Sequence, residues 1–157
     1  MRFNLLIIGD EILSRAVPET NLDYVLSRAA VDGVTVAEVR IVRDCIPAIV
    51  EALRALCRDG HYVITSGGVG PTHDDVTLEG ASRAFGVPLE EHAEMRAFLE
   101  EHYPGEFNDT VRQMACLPQN AEVIGRHESH WPIIRYGNCF LLPGVPVALR
   151  SKVQRIL

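Results

Sequence analysis

Gly67, Gly68 and Gly70, followed by Pro71 and the paired acids Asp74 and Asp75, are the residues here whose types and spacing could do chemistry. They follow the apolar run Tyr62-Val63-Ile64 and precede a helical pattern. A strand that delivers a glycine-rich turn to a helix start is a recipe for holding an anion. Glycines let backbone N–H groups close on a phosphate, and the helix N-terminus adds a favourable dipole. Two adjacent carboxylates would repel a bare phosphate. They suit one that arrives with a hard divalent cation such as Mg²⁺. As bland alternatives, Gly67-Gly68 is a simple turn and Asp74-Asp75 a solvated one.

The elements that position this stretch follow from periodicity. Residues 3–8 predict a buried strand ending at Gly9-Asp10-Glu11. Residues 14–19 read as a loop. A helix starts near Thr20, where Thr20 and Asp23 resemble a capping box, and Gly33 stops it. Residues 34–42 alternate as a second strand ending at Arg43-Asp44. Asp44 is then either the cap of the next helix or a site acid, and Pro47 falls in that helix's first turn. Gly60 ends it before the third strand. Further helices are expected over residues 78–85, from about residue 90 to 102, and over 108–115. Residues 117–138 read as short strands and loops. A last strand, 139–142, enters Pro143-Gly144-Val145-Pro146, and a terminal helix follows with Val145, Leu149, Val153 and Ile156 on one face. The order strand, helix, strand, helix, strand predicts one α/β domain over residues 1–157. Its architecture is a three-layer α/β/α sandwich with a mainly parallel sheet. Ligands collect outside the carboxyl ends of such strands. Here those exits carry Gly9-Asp10-Glu11, Asp44, residues 66–75 and Pro143-Gly144-Val145-Pro146.

Common templates fail. Three positions after Gly70 stands His73, so there is no G-x-G-x-x-G, and no P-loop signature occurs. His127 and His130 have a ligand-like spacing but sit in a polar segment without helical pattern, so they are not read as a metal site. No nucleophile can be paired with a base. The 157 residues carry a net charge of −6 and no long Lys/Arg run, which argues against nucleic acid or an anionic membrane as partner and for a small ligand. No apolar run approaches a membrane span, and the first one is too short for a signal peptide. The four cysteines are scattered without C-x-x-C, as expected of reduced thiols in a cytoplasmic protein.

Three motifs in order, G-D-E-I-L (residues 9–13), T-S-G-G-V-G-P-T-H-D-D-V-T (65–77) and L-P-G-V-P (142–146), make the chain resemble the molybdopterin-binding MoaB/Mog domain. Its nearest type looks like CinA and the amino-terminal domain of eukaryotic FAD synthases. The resemblance runs over nearly the whole chain, although Ser14-Arg15 stands where relatives often have glycine. It implies a loop that binds a phosphate of molybdopterin or a nucleotide. The phosphate would be held by the backbone of Gly67, Gly68 and Gly70, the hydroxyls of Ser66 and Thr72, and the Pro143-Gly144 turn. It implies Asp44 and Asp75 as catalytic acids, and Asp10 with Asp75 on Mg²⁺ or another divalent cation. It also implies a homo-oligomer, trimer or dimer. The activities implied are molybdopterin binding in cofactor biosynthesis and, in the alternative, metal-dependent cleavage of a nucleotide pyrophosphate of the ADP-ribose or FAD class. Molybdopterin adenylylation is a lesser expectation, and a non-catalytic oligomeric scaffold is the bland one.

Overall fold

The computed structural model describes residues 2–58, 60–127 and 131–157. In chain order the elements are β1 (Arg2–Ile8), α1 (Asp10–Leu13), α2 (Asn21–Val31), β2 (Thr35–Val42) and α3 (Ile46–Leu56). Next come β3 (Tyr62–Ser66), α4 (Thr77–Phe85), β4 (Leu89–Glu91), α5 (Ala93–His102) and α6 (Asp109–Gln113). The last are β5 (Cys116–Pro118), β6 (Glu122–Ile124), β7 (Ile133–Tyr136), β8 (Cys139–Leu142) and α7 (Pro146–Ile156).

Six strands form one sheet in the order β2-β1-β3-β8-β7-β6. The ladders β2–β1, β1–β3 and β3–β8 are parallel, whereas β8–β7 and β7–β6 are antiparallel. The expected parallel sheet therefore holds for the half that carries the four strand exits. The chain reverses at Gly137 to build the other half. β4 and β5 pair separately as a small antiparallel sheet.

Alternation along β1 divides the interior into two layers. Leu6 and Ile8 point to one face, against Ile49, Leu53 and Leu56 of α3 and against α4 and α5. Phe3, Leu5 and Ile7 point to the other, against Val25 of α2 and Leu149 and Val153 of α7. A fully buried Leu or Ile contributes about 1.5–3 kcal/mol, so this two-sided packing makes β1 the spine of the fold. Asn4 is the buried polar residue on that spine, and its amide donates to the Leu56 carbonyl at the end of α3 at 2.7 Å.

Several local expectations are corrected. Thr20 makes no side-chain cap on α2; the Glu19 carboxylate reaches both the Asn21 and Leu22 amides, at 3.0 and 2.7 Å, because its longer side chain spans two donors. Asp44 does not cap α3, whose N-cap position is Cys45. The helix expected from about residue 90 starts at Ala93, because Leu89–Glu91 is taken by pairing with β5. Val145 precedes α7 and is 62% exposed, off the apolar face where it was expected. The short helix after Asn108 forms as expected, capped by Asn108, whose side chain accepts from the Val111 amide at 3.0 Å. Among the described residues no helix is long and apolar enough to cross a membrane. His130 of the H-x-x-H pair lies outside the described residues.

Candidate functional site

β3 stops at Ser66 because the next two residues turn into conformations that side chains rarely adopt, Gly67 at φ 111° and Gly68 at φ 69°. Neither position has room for a side chain. A Cβ on Gly67 would strike the Ile8 carbonyl of β1, and one on Gly68 would strike the Thr77 hydroxyl. Thr77 opens α4 and is fully buried. Its Oγ1 donates to the Gly67 carbonyl at 2.9 Å and its amide to the Gly68 carbonyl at 2.9 Å. Gly67 N–H donates to the Leu142 carbonyl at 3.0 Å, and a Cβ on Gly144 would lie 3.3 Å from the Gly67 Cα. The loop is thus pinned between β1, the β8–α7 turn and α4. With the Gly67 amide spent on that turn, the amides of Gly68, Val69 and Gly70 find no acceptor among the described residues.

The loop's second half is ordered by its own acid. Asp75 Oδ2 accepts from the Thr72 amide at 2.9 Å and the Thr72 hydroxyl at 2.6 Å. The carboxylate lies so close to Gly70 that a Cβ there would sit 2.7 Å from Oδ2. Asp44, beyond the end of β2, accepts the Asp10 amide at 2.8 Å and so ties β2 to α1. Asn21, buried at the start of α2, donates to Ser66 Oγ at 3.0 Å and to the Gly144 carbonyl at 2.8 Å, joining the end of β3 to the Pro-Gly turn.

These parts enclose a cavity of about 440 Å³ at the carboxyl ends of β1, β3 and β8. Its walls are the glycine loop, Thr72, Pro143 and Gly144, with Glu11, Asp44, Asp74 and Asp75 as its acids. Among the described residues no Lys or Arg lines it. Burial pushes the Asp44 carboxyl above its ordinary value; the Asp10 amide opposes this, and the charges of Glu11, Asp10 and Asp74 add to it. Asp74 is held below the usual range by the nearby Thr72 hydroxyl and by a backbone hydrogen bond. Asp10 is held low chiefly by Arg43, whose guanidinium bonds its two oxygens at 3.0 and 3.3 Å.

Of the residues expected from sequence, the cavity brings together Asp44, Gly67, Gly68, Gly70, Thr72, Asp75, Pro143 and Gly144. Two expected residues stand outside it. The Ser66 hydroxyl is turned into the interior towards Asn21, and Asp10 faces a separate surface concavity beside Arg43. Asp10 and Asp75 line different concavities. Sequence reasoning placed Glu11 at a strand exit but gave the site role to Asp10 alone, and it missed Asn21 and the anchoring part of Thr77. The string does not separate Glu11 from Asp10: only α1, which begins at Asp10 and turns each residue about 100° from the last, points the two acids apart. Asn21 left no signal either. Among the described residues no three His, Cys, Asp or Glu side chains converge as a ready-made metal cage. The carboxylate oxygens of Glu11, Asp44 and Asp74 do suit a hydrated Mg²⁺-like ion, which takes one or two carboxylates and is completed by a ligand's phosphates.

The sequence model of the family described as probable molybdopterin binding domain matches residues 4–157. The chain belongs to that family. A CinA-like protein of Myxococcus xanthus is 38% identical over 98% of this chain, and the chain spans 38% of that protein's length. The crystal structure of CinA, a protein of unknown function from Thermoplasma acidophilum, superposes with a TM-score of 0.87 at 26% identity, covering 99% of this chain and 95% of that one. The molybdopterin biosynthesis enzyme MoaB of Thermus thermophilus shares the fold at a TM-score of 0.62 and 19% identity, over 99% and 88% of the two chains. The molybdopterin-binding fold thus carries the glycine-loop cavity in a chain with CinA-like relatives.

Proposed function

We propose that this molybdopterin-binding-type domain binds a phosphorylated pterin or nucleotide together with a divalent cation. Phosphate oxygens lie over the amides of Gly68, Val69 and Gly70, and the cation lies towards Glu11, Asp44 and Asp74. One observation carries the reading: among the described residues, unengaged loop amides share a cavity with those carboxylates and with no basic side chain. Donors invite an anion, and uncompensated acids repel it unless a cation comes too. The ion supplies the positive charge that offsets this repulsion. The protein's own residues supply the rest: Thr77 and Asn21 hold the walls in place, and Asp75 fixes the hydroxyl of Thr72. Calorimetric titration with inorganic pyrophosphate, ADP and a pterin phosphate, each with and without Mg²⁺ or Mn²⁺, tests it. Binding that requires the cation is the expected result. Absence of binding by every probe with either metal overturns it.

A second reading is favoured by Asp44 alone. A carboxyl pushed up by burial at the wall of a phosphate cavity is a better proton acceptor than an ordinary carboxylate. Cleavage of a nucleotide pyrophosphate would use it to take a proton from the attacking water. The assay is release of AMP from ADP-ribose or FAD with Mg²⁺, Mn²⁺ or Co²⁺. No release, or equal release by Asp44→Asn, removes this reading and leaves the binding one standing.

A further inference from the structure

At the end of the sheet opposite the glycine loop, two of the four cysteines meet. Cys57 follows the last residue of α3, and Cys139 is the first residue of β8. The register of the sheet brings them together. Asn4, Val63 and Cys139 are direct neighbours across β1, β3 and β8, and so form one row across three strands. The last turn of α3 lies over that row. Its Leu56 carbonyl accepts the Asn4 amide at 2.7 Å, and the next residue, Cys57, packs against the cluster that contains Val63 and Cys139. There the Cys139 thiol donates a hydrogen bond to the Cys57 sulfur.

The two thiols differ as a reactive and a resolving thiol must. Cys57 is partly exposed in the turn after α3, within reach of a small oxidant. The hydrogen bond from Cys139 holds its thiol below the ordinary value and so favours the thiolate, which is the nucleophile. Cys139 is fully buried, and the same hydrogen bond together with burial keeps it protonated. Strands on both sides fix Cys139, which pairs with Val63 of β3 and Tyr136 of β7. Cys57, beyond the end of its helix, is the partner that can shift to bring the sulfurs from contact to bond. The other thiols stand apart from the pair. Cys45 precedes the first residue of α3, about 18 Å away along that helix. Cys116 lies in the separate β4–β5 sheet, where burial pushes its thiol up.

We propose that Cys57 and Cys139 are a peroxide-responsive pair, in which Cys57 is oxidised first and Cys139 resolves it to an intrachain disulfide that staples α3 to β8. The Cys57 sulfur attacks one oxygen of hydrogen peroxide; the S–O bond forms, the O–O bond breaks, and the second oxygen leaves as water, giving a sulfenic acid. The Cys139 sulfur then attacks the Cys57 sulfur; the S–S bond forms, the S–O bond breaks, and the oxygen leaves as a second water with the Cys139 proton. Two thiols and one peroxide thus become one disulfide and two waters. The staple joins the start of β8 to the end of α3, so it acts on stability and leaves the carboxyl ends of the strands free.

The test exposes the folded chain to a small excess of hydrogen peroxide, at a dose that oxidises free glutathione. Mass spectrometry and thiol counting after unfolding give the product. The expected result is loss of two of the four thiols, a mass lower by two hydrogen atoms, and a digest peptide linking Cys57 to Cys139; dithiothreitol restores both thiols. The oxidised chain melts at least about 5 °C above the reduced one, because the bond closes a long loop in the unfolded state. Cys57→Ser, at a partly exposed position, folds and keeps all its thiols at the same dose. Cys139→Ala, checked by its melting curve, leaves the Cys57 sulfenic acid to be trapped by dimedone. A parent that keeps all four thiols, a bond through Cys45 or Cys116, or loss of the Cys139 thiol in Cys57→Ser as fast as in the parent overturns the pair. A disulfide that leaves the Tm unchanged overturns the staple.

Discussion

Replacing Thr77 by valine tests whether the glycine loop is held by one side chain. Valine keeps the size and branching of threonine and removes only the donor to the Gly67 carbonyl. Thr77 is fully buried, so that carbonyl cannot turn to water for a substitute. A buried acceptor left unsatisfied costs about 1–3 kcal/mol. Crowding adds to it: the hydroxyl already lies where a Cβ on Gly68 would be, and a methyl is larger. For a chain of this length 1 kcal/mol lowers Tm by about 2–4 °C, so a loss of about 2 kcal/mol predicts a fall of about 4–8 °C. Thr77→Ser is the control. It restores the donor and gives up one buried methyl, worth about 0.8 kcal/mol, so its Tm falls by only about 2–3 °C. Circular-dichroism melts give the stabilities, and hydrogen exchange over residues 67–77 localises the effect, since the Thr77 amide donates to the Gly68 carbonyl. Valine within about 1 °C of the parent, or serine as damaging as valine, would refute the pinning of the loop by Thr77.

Two further substitutions probe the acids and the loop's second half. Asp44 is protonated more readily in the folded chain than its ordinary value of 3.8, so its contribution to stability is complete below that pH and is lost as pH rises through the raised folded value. Asp44→Asn, which can still accept the Asp10 amide, is therefore expected to melt above the parent at pH 7 without divalent ions, with the gap closing towards pH 4; a gap constant across pH 4–8 contradicts it. Gly70→Ala pushes a methyl into the Asp75 carboxylate and should break its bonds to Thr72 while leaving the buried layers untouched. Pyrophosphate–Mg²⁺ affinity should drop about tenfold, the worth of one charge-assisted hydrogen bond, with Tm within about 2 °C of the parent; unchanged affinity by calorimetry counts against the loop's part in binding.

What could be read from the sequence was what periodicity and backbone demands dictate. Phe3 to Ile8 alternates between two layers, and that alternation is a property of the strand itself. Gly67 and Gly68 announced a turn that only glycine can make, and the turn is there. Partner choice was illegible where two residues compete for one donor or acceptor. Asp44 stands just where an N-cap belongs, yet the Asp10 amide, 34 residues away, claims it because β1 and β2 lie side by side. Glu19 outreaches Thr20 by a difference of side-chain length that a capping pattern does not weigh. Asp10 and Glu11 look equivalent in the string. One turn of helix sends the first to Arg43 and the second to the cavity, and no rule of spacing knew that Arg43 would be waiting.

The case for the proposed cation rests on topology more than on any single acid. β2, β1, β3 and β8 run parallel, so the segments after Val42, Ile8, Ser66 and Leu142 all leave the sheet at the same edge. Had β1 run antiparallel to β3, Glu11 would lie at the opposite end of the sheet from the Gly68 and Gly70 amides. Arg43 offsets one acid in part, because it pairs with Asp10 outside the cavity. Glu11, Asp44, Asp74 and Asp75 remain in the cavity; burial is the main cause of the upward push on Asp44, and the charges of Glu11, Asp10 and Asp74 add to it. Carboxylates that close, with no base to answer them, favour a proton or a metal ion. Anion donors that share their cavity favour the metal, because only a cation lets both sets of groups be satisfied at once.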